Sequence, residues 1–397
     1  MIQKTFYPLL ENPFRKKDLD AATKVVKSGR ITIGHNTKIF EKSFSNKIKS
    51  KYSLMVNSGS SANLLALQCL INPYRKKRLK YGDSVLVPTV CWSTSLWPII
   101  QSGLKPVFVD VDPGTLNLDL KDLKKKITKK TKALVLVHVL GNSTNMDELM
   151  NLLKKNKIIL IEDTCESLGS KYKNKYLGTF GDFSSFSFYS SHQISSGEGG
   201  MVCCKTAEDY EILKALRSHG WSRGLKNEKK ISKKNKHLDS RFIFYNSGFN
   251  LRPTDVSAAI GLSQFKDMDK LIKMRNINRN LIVNSMKKNK RISNNFNFIE
   301  PNKHVKPSWF GIPILIKNKN KKNVFISKIE KLGIETRPII SGNFIKQPSV
   351  IKYNLIKNKK FKNSDKINDQ GFFIGLPSKK INNILLKRIT KIFEKSI

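Results

Sequence analysis

The chain has 397 residues, 39% of them hydrophobic, enough to bury a substantial core as one large and one smaller domain. Its formal charge is +44, from 74 Lys and Arg against 30 Asp and Glu. That excess alone suggests a polyanion partner. No Arg-rich arm, zinc-finger spacing or aromatic RNA-binding signature accompanies it, and no apolar run is long enough to span a membrane.

The lysines are spread through "KKNKHL", "KNKNKKN" and "KNKKFKN", and Lys, Asn and Ile rise together, as in drift towards an AT-rich genome. A diffuse positive field of this kind attracts anionic small molecules. Neither a nucleic acid nor a membrane is expected as partner. The opening "MIQKTFYPLLENPFRKK" has no apolar stretch followed by a small-residue cleavage site, so a cytoplasmic location is expected. The five cysteines, Cys69, Cys91, Cys165, Cys203 and Cys204, form no CxxC pair and are read as reduced, mostly buried thiols.

In chain order, "VNSGSSANLLALQCL" sets Gly59, Ser60 and Ser61 where a loop enters a helix. Helix N-termini bind phosphate through free N–H groups, and the same residues also suit an ordinary serine N-cap. Next come the strand candidates "SVLVPTV", "KPVFVDVD", "ALVLVHVL", "IILIEDT", "SSFSFYS" and "GMVCCK". They are Val-, Ile- and Phe-rich and nearly continuous, as expected of strands buried on both faces. Helical stretches such as "NMDELMNLLKKN" separate several of them. The pattern predicts a three-layer α/β domain with a mainly parallel sheet.

Three side chains follow strands. Trp92, in "VPTVCWSTSLWP", suits either a core position or stacking on a flat ring. Asp163 ends "IILIED", where α/β folds place ligands; it suits either a helix cap or a partner for a pyridine nitrogen. His192 lies in "SFYSSHQISSGEGG", between a buried strand and a glycine turn. A lysine there would read as a Schiff-base lysine. Beyond a Lys-rich stretch in 206–240, "RPTDVSAAIGLSQFKDMDKLIKMRNINRNLIVNSM" predicts one long helix or two, with Asp or Thr near Pro253 as the start signal. "WFGIPILI", "IETRPII" and "FFIGLP" are short strands of a smaller α+β domain. The expected division is 1–255 and 256–397.

The order and spacing of these motifs, with "GRITIGHNTKIFEKSFS", "LGNSTNMDEL", "RSHGW" and "GFNLRPTDVSAAIGLSQ", resemble the DegT/DnrJ/EryC1/StrS family of sugar aminotransferases and dehydratases over nearly the whole chain. The resemblance implies the fold-type-I architecture of aspartate aminotransferase and a pyridoxal or pyridoxamine 5′-phosphate cofactor. It implies that Gly59, Ser60 and Ser187 hold the phosphate and that Trp92 stacks on the ring. It further implies that Asp163 partners the ring nitrogen and Glu166 lies beside the phenolic oxygen. Asn250 would reach the cofactor phosphate of a second subunit, making a homodimer with shared sites.

His192 falls at the Schiff-base lysine position, which resembles the 3-dehydratase branch of the family. There the cofactor is bound without a covalent link. The implied substrate is a nucleotide-linked 4-keto-6-deoxyhexose of 3,6-dideoxysugar and lipopolysaccharide O-antigen assembly. His192 would remove a proton from the cofactor's C4′ carbon before the C3 hydroxyl departs, and the same imidazole is the candidate acid. Two dehydratase types fit. One acts on a CDP sugar and carries an iron–sulfur cluster, whose cysteines lie in the C-terminal half. The other acts on a GDP sugar, has no cluster and takes glutamate as amino donor. This chain has no cysteine after Cys204, which favours the second type, with no metal. A nucleotide-sugar aminotransferase and a polyanion-binding protein are the competing readings.

Overall fold

In the computed structural model, residues 5–10, 12–356 and 360–397 are described. Part of the opening segment read for a leader, and part of the lysine run at 357–363, lie outside them. The N-terminal helices α1 (Lys16–Lys27) and α2 (His35–Ile48) lead into β1 (Tyr52–Val56) and α3 (Gly59–Ile71). Then follow β2 (Ser84–Pro88), α4 (Ser93–Gln101), β3 (Lys105–Val109), α5 (Leu120–Lys126), β4 (Thr131–Val137), α6 (Met146–Asn156) and β5 (Ile159–Asp163). A small hairpin, β6 (Lys171–Tyr172) and β7 (Lys175–Tyr176), precedes β8 (Phe183–Ser187) and β9 (Gly200–Cys204).

The large strands form one sheet in the order β1-β9-β8-β5-β4-β2-β3. β2, β3, β4, β5 and β8 pair in parallel, and β9 runs antiparallel to both β1 and β8. This is the expected mainly parallel sheet. Its strands read as continuous apolar runs because helices and loops cover both faces. Helix α3 is buried on most sides, including Ala62, Leu65, Ala66 and Leu70. Each such leucine contributes on the order of 1.5–3 kcal/mol, so α3 is anchored firmly along its length and its first turn is fixed in place.

Two helices, α7 (Ala207–Arg217) and α8 (Glu228–Lys234), precede α9 (Asp255–Phe265) and α10 (Met268–Lys288), the predicted pair. Thr254 is the cap of α9, accepting a hydrogen bond from Ser257 N at 3.1 Å. Asp255 has another task. Its Oδ1 accepts from the Thr37 amide and hydroxyl, both at 2.8 Å, tying α9 to the start of α2. Gly34 makes the approach possible, since a Cβ there would lie 3.1 Å from Asp255 Cγ. α9 packs against α1 and α2.

The remaining strands are β10 (Phe296–Phe298), β11 (Val305–Lys306), β12 (Ile312–Ile316), β13 (Thr336–Arg337) and β14 (Gly371–Ile374). β10, β12, β14 and β13 form a second, antiparallel sheet. It is docked on the first by hydrogen bonds such as Phe344 N to Thr89 O at 2.8 Å and Ser341 Oγ to Cys91 O at 2.7 Å. The small β11-β6-β7 sheet is separate. No helix among the described residues is long and apolar enough to cross a membrane.

Candidate active site

The carboxyl ends of β5 and β8, the first turn of α3 and the β13 and β14 strands of the second sheet enclose a cavity of about 560 Å³. Its wall includes Gly59, Ser60, Trp92, Asp163, Glu166, Ser187 and His192, so seven of the eight residues singled out in the sequence converge on one space. Asn250 is exposed and lies outside this wall; its Oδ1 accepts from Arg252 Nε at 3.0 Å.

One end of the cavity is a helix N-terminus. Ser58 caps α3, accepting from Ser61 N at 3.1 Å, which leaves the preceding turn amides of Gly59 and Ser60 without an intrahelical acceptor. Gly59 is pressed against its neighbours: a Cβ there would lie 2.7 Å from Ser187 Cβ and 2.8 Å from Cys165 Sγ. The amides, the Ser60 hydroxyl and the Ser187 hydroxyl therefore form a compact cradle of donors at the positive end of a helix dipole, suited to a phosphate.

Asp163 is buried and held from four sides. Oδ2 accepts from Asn63 Nδ2 at 2.8 Å and Ser95 Oγ at 2.7 Å. Oδ1 accepts from the Cys165 amide at 3.3 Å and Ser185 Oγ at 3.4 Å. Trp92 is 56% exposed at the start of α4, on the cavity wall. The core alternative for it is excluded; an exposed indole beside a cavity offers a free face for stacking.

Glu166 accepts from the Leu140 amide at 2.9 Å. Leu140 adopts φ 51°, a left-handed conformation that a branched side chain rarely takes. That turn delivers its N–H to the carboxylate. Burial raises the Glu166 carboxyl to about 7, with the Asp163 charge adding to it and the Leu140 hydrogen bond opposing. It is poised near neutrality.

His192 sits in the loop between β8 and β9, its amide donating to the Tyr189 carbonyl at 2.9 Å. The ring stands edge-on to Phe310, centroids 5.1 Å apart at 74°, and to Tyr189 at 6.2 Å and 86°. Nδ1 is buried and has no hydrogen-bond partner among the described residues. Burial lowers the imidazole pKa to about 4, the nearby Arg275 charge adds to the shift, and the Tyr189 hydrogen bond opposes it. The shift favours the neutral ring, the form from which a base acts. An unpartnered buried nitrogen is costly unless a bound molecule meets it. Together with the cradle at Gly59 and the oriented Asp163 carboxylate, it makes this cavity fit a phosphorylated pyridine.

Sequence reasoning missed the residues that hold these groups. Asn63, Ser95 and Ser185 lie on three different elements, and only the fold brings them to Asp163. Glu162, next to Asp163 but on the opposite face of β5, is fully buried. It accepts from His138 Nε2 at 2.9 Å and from the amides of Gly178, Phe180 and Gly181 at 2.8, 2.7 and 2.6 Å. Burial pushes its carboxyl up, but these hydrogen bonds outweigh that and the net direction is down. A charged residue inside an apolar strand was the available signal. Phe310 and Arg337, from distant parts of the chain, also line the cavity.

A mainly parallel sheet with these side chains gathered at the carboxyl ends of its strands is the layout of a PLP-dependent aminotransferase fold. The chain belongs to the DegT/DnrJ/EryC1/StrS aminotransferase family, whose profile matches residues 13–390. It is 36% identical over 375 residues to a GDP-4-keto-6-deoxy-D-mannose 3-dehydratase of Escherichia coli O55:H7, covering 93% of this chain and 95% of that protein. It is 33% identical over 377 residues to the lipopolysaccharide biosynthesis protein RfbH of Salmonella typhimurium, covering 91% and 85%. Among solved structures, the E. coli GDP-4-keto-6-deoxy-D-mannose-3-dehydratase with bound hydrated PLP superposes with TM-score 0.91 at 34% identity, covering 98% of this chain and all of that one. A GDP-4-keto-6-deoxymannose-3-dehydratase with a trapped PLP-glutamate geminal diamine superposes at 0.89 with the same identity and coverage.

Proposed function

We propose that this protein removes the C3 hydroxyl of a GDP-linked 4-keto-6-deoxyhexose, using pyridoxamine 5′-phosphate and regenerating it with glutamate. The observation that carries the reading is His192. By resemblance it matches the lysine position of the family; it lines the cavity, and its Nδ1 is buried without a hydrogen-bond partner among the described residues. The relatives named for this dehydration share more than nine-tenths of the chain. An aminotransferase with a Schiff-base lysine finds no such residue in this loop.

In this proposal the α3 amides, Ser60 and Ser187 hold the phosphate, Trp92 covers a ring face, and Asp163 keeps the ring nitrogen protonated. Bound there, the cofactor supplies an amine for the substrate ketone and a ring that takes up electron density when a proton leaves its C4′ carbon. His192 carries that proton, first as base and then as acid towards the departing C3 hydroxyl. Glu166, held near neutrality by burial, shares protons with the phenolic side of the ring. Phe310 and Phe373 close the cavity on the side of the second sheet and exclude water. Residues 1–255 carry the cofactor and 256–397 cover it.

The chain works as a homodimer in this reading. Asn250 stands away from its own cavity, and the exposed Phe242 and Phe244, 58% and 60% accessible, lie near it in sequence. A cytoplasmic setting accords with five free cysteines. The product belongs to 3,6-dideoxysugar and lipopolysaccharide assembly, and the cluster-free type is favoured because no cysteine follows Cys204. The test is to purify the protein with pyridoxal phosphate and glutamate and to offer GDP-4-keto-6-deoxymannose. Mass spectrometry should show loss of the C3 oxygen and release of ammonia. A stable 4-amino sugar as sole product would overturn the dehydratase in favour of an aminotransferase.

A further inference from the structure

Helix α10 carries a buried arginine that the proposed reaction does not use. Arg275 is 6% exposed, and among the described residues it forms no ion pair with a carboxylate. Arg279, one turn on, does pair with Glu300. Burial holds the Arg275 guanidinium down at about 10. A buried cation without a counter-charge is costly and is strongly destabilising unless its donors are met. Here they are met by main-chain carbonyls. Nε donates to Trp309 O at 3.0 Å and Nη2 donates to Phe310 O.

The segment so gripped is the one that reaches His192. Asn276 Nδ2 donates to Pro307 O at 2.8 Å, and the Arg279 guanidinium lies 5.0 Å from the Trp309 ring centre. Towards the large sheet, Ser308 N donates to Ser170 Oγ at 2.8 Å and Phe310 N to Leu140 O at 3.2 Å. Gln193, the residue after the histidine, donates to Ser308 O at 3.1 Å and also to Glu166 O. Residues 307–310 are therefore clamped between α10 and the two elements that carry Glu166 and His192. The Phe310 ring then meets the imidazole edge-on at 5.1 Å.

We propose that Arg275 is a positioning residue: by holding the Trp309 and Phe310 carbonyls it sets the Phe310 ring against His192 and fixes the plane in which the imidazole handles its proton. The proposal rests on the reading of His192 as the proton carrier. The same charge adds to burial in disfavouring the imidazolium before substrate arrives. Among the described residues, the titratable and charged side chains that line the cavity with His192 are Asp163, Cys165 and Glu166 from the end of β5, Tyr189 from its own loop, Glu198 before β9 and Arg337 from β13; Arg275 from α10 acts on it as well. Arg275 acts from behind the cavity wall, and the others line it.

The experiment compares Arg275→Met, Arg275→Lys, Phe310→Leu and the Arg275→Met/Phe310→Leu double variant. Dehydration kcat should fall about 10- to 100-fold in Arg275→Met, as expected when a reacting group is slightly misplaced, with the sugar KM and the cofactor titration unchanged within about twofold. Arg275→Lys keeps a charge but lacks the two-pronged fork, so it should not recover kcat. The double variant should be no slower than Arg275→Met. In cofactor-free protein with labelled histidine, the His192 imidazole should titrate higher in Arg275→Met than in wild type. Full activity in Arg275→Lys, losses that multiply in the double variant, or an unmoved His192 titration in Arg275→Met would each overturn the proposal. His192→Asn keeps the two ideas apart. If that variant still dehydrates the sugar, the proton-carrier reading itself is wrong, whatever Arg275 does.

Discussion

Asn63, in the first turns of α3, donates its amide to Asp163 Oδ2 at 2.8 Å across 100 residues of sequence. The helix whose first turn is proposed to hold the phosphate thus also aims the carboxylate proposed to meet the pyridine nitrogen. The two ends of the proposed cofactor site are set by one rigid element. Asn63→Leu should leave the cradle intact but release one side of Asp163. A hydrogen bond to a charged group contributes about 1.5–3 kcal/mol, so pyridoxal phosphate affinity should drop tenfold or more by fluorescence titration. An unchanged dissociation constant would show that Asp163 is oriented without Asn63.

His192→Asn should bind the cofactor, because phosphate, ring nitrogen and ring face are held by other residues. It should lose elimination by about 10²–10⁴-fold, the usual worth of a general acid–base group. His192→Lys tests the position. An amine there should give a covalent cofactor adduct that borohydride reduction fixes, seen as a mass increase of the intact chain.

Glu166 and His192 should shape the pH dependence of stability in opposite directions. The imidazole pKa is lowered from 6.5 to about 4 on folding, so the unfolded chain binds the extra proton between those values. Its stabilising contribution is present above pH 6.5 and is lost as pH falls to about 4. The Glu166 carboxyl is raised from 4.5 to about 7, so the folded chain binds the extra proton and stability is lost as pH rises across that window. Urea midpoints of the cofactor-free protein should show His192→Asn gaining relative to wild type at pH 4. Glu166→Gln should gain above pH 7. Parallel curves for all three proteins would refute both assignments.

Gly59→Ala adds a methyl where 2.7 Å separates the new atom from Ser187 Cβ. Overpacking of this kind costs about 1–3 kcal/mol. Displacement of the α3 first turn should also weaken phosphate binding. Thermal unfolding and cofactor titration should both shift; a loss of stability with unchanged cofactor affinity would separate Gly59 from the phosphate cradle.

Shared sites predict complementation. Asn250→Ala chains and His192→Asn chains should each be impaired alone. Mixed and reassociated, they should regain activity from the heterodimer site that pairs an intact His192 with an intact Asn250. No regain, with heterodimers confirmed by native mass spectrometry, would show that each chain builds its own site.

Much of this was readable from the chain because the groups that line the cavity sit at local punctuation. Gly59 opens a helix, Asp163 ends an apolar strand, and His192 interrupts a serine–glycine loop. Trp92 was ambiguous in sequence, since a tryptophan after a strand packs inward as readily as outward; its 56% exposure decides the matter. The choice between Thr254 and Asp255 as cap was equally undetermined, because both residue types cap helices and only tertiary contact assigns Asp255 to Thr37. β1 was not among the strand candidates, because its five residues run without a break into the loop before α3. Arg275 and Phe310 carry no local pattern at all. Their relation to His192 is a product of folding.

β9 runs opposite to its neighbours, and that reversal governs how the chemistry can change. A parallel partner for β8 would need a crossover helix between them, and a residue there would be locked to a distant layer. Because β9 returns antiparallel, twelve residues of loop suffice to join the strands, and they hold the side chain proposed to handle the proton. The loop behaves as an exchangeable tool head on a fixed arm. If His192 is the proton carrier, swapping that one side chain would redirect the chemistry while the sheet and the residues proposed to hold the cofactor stay as they are.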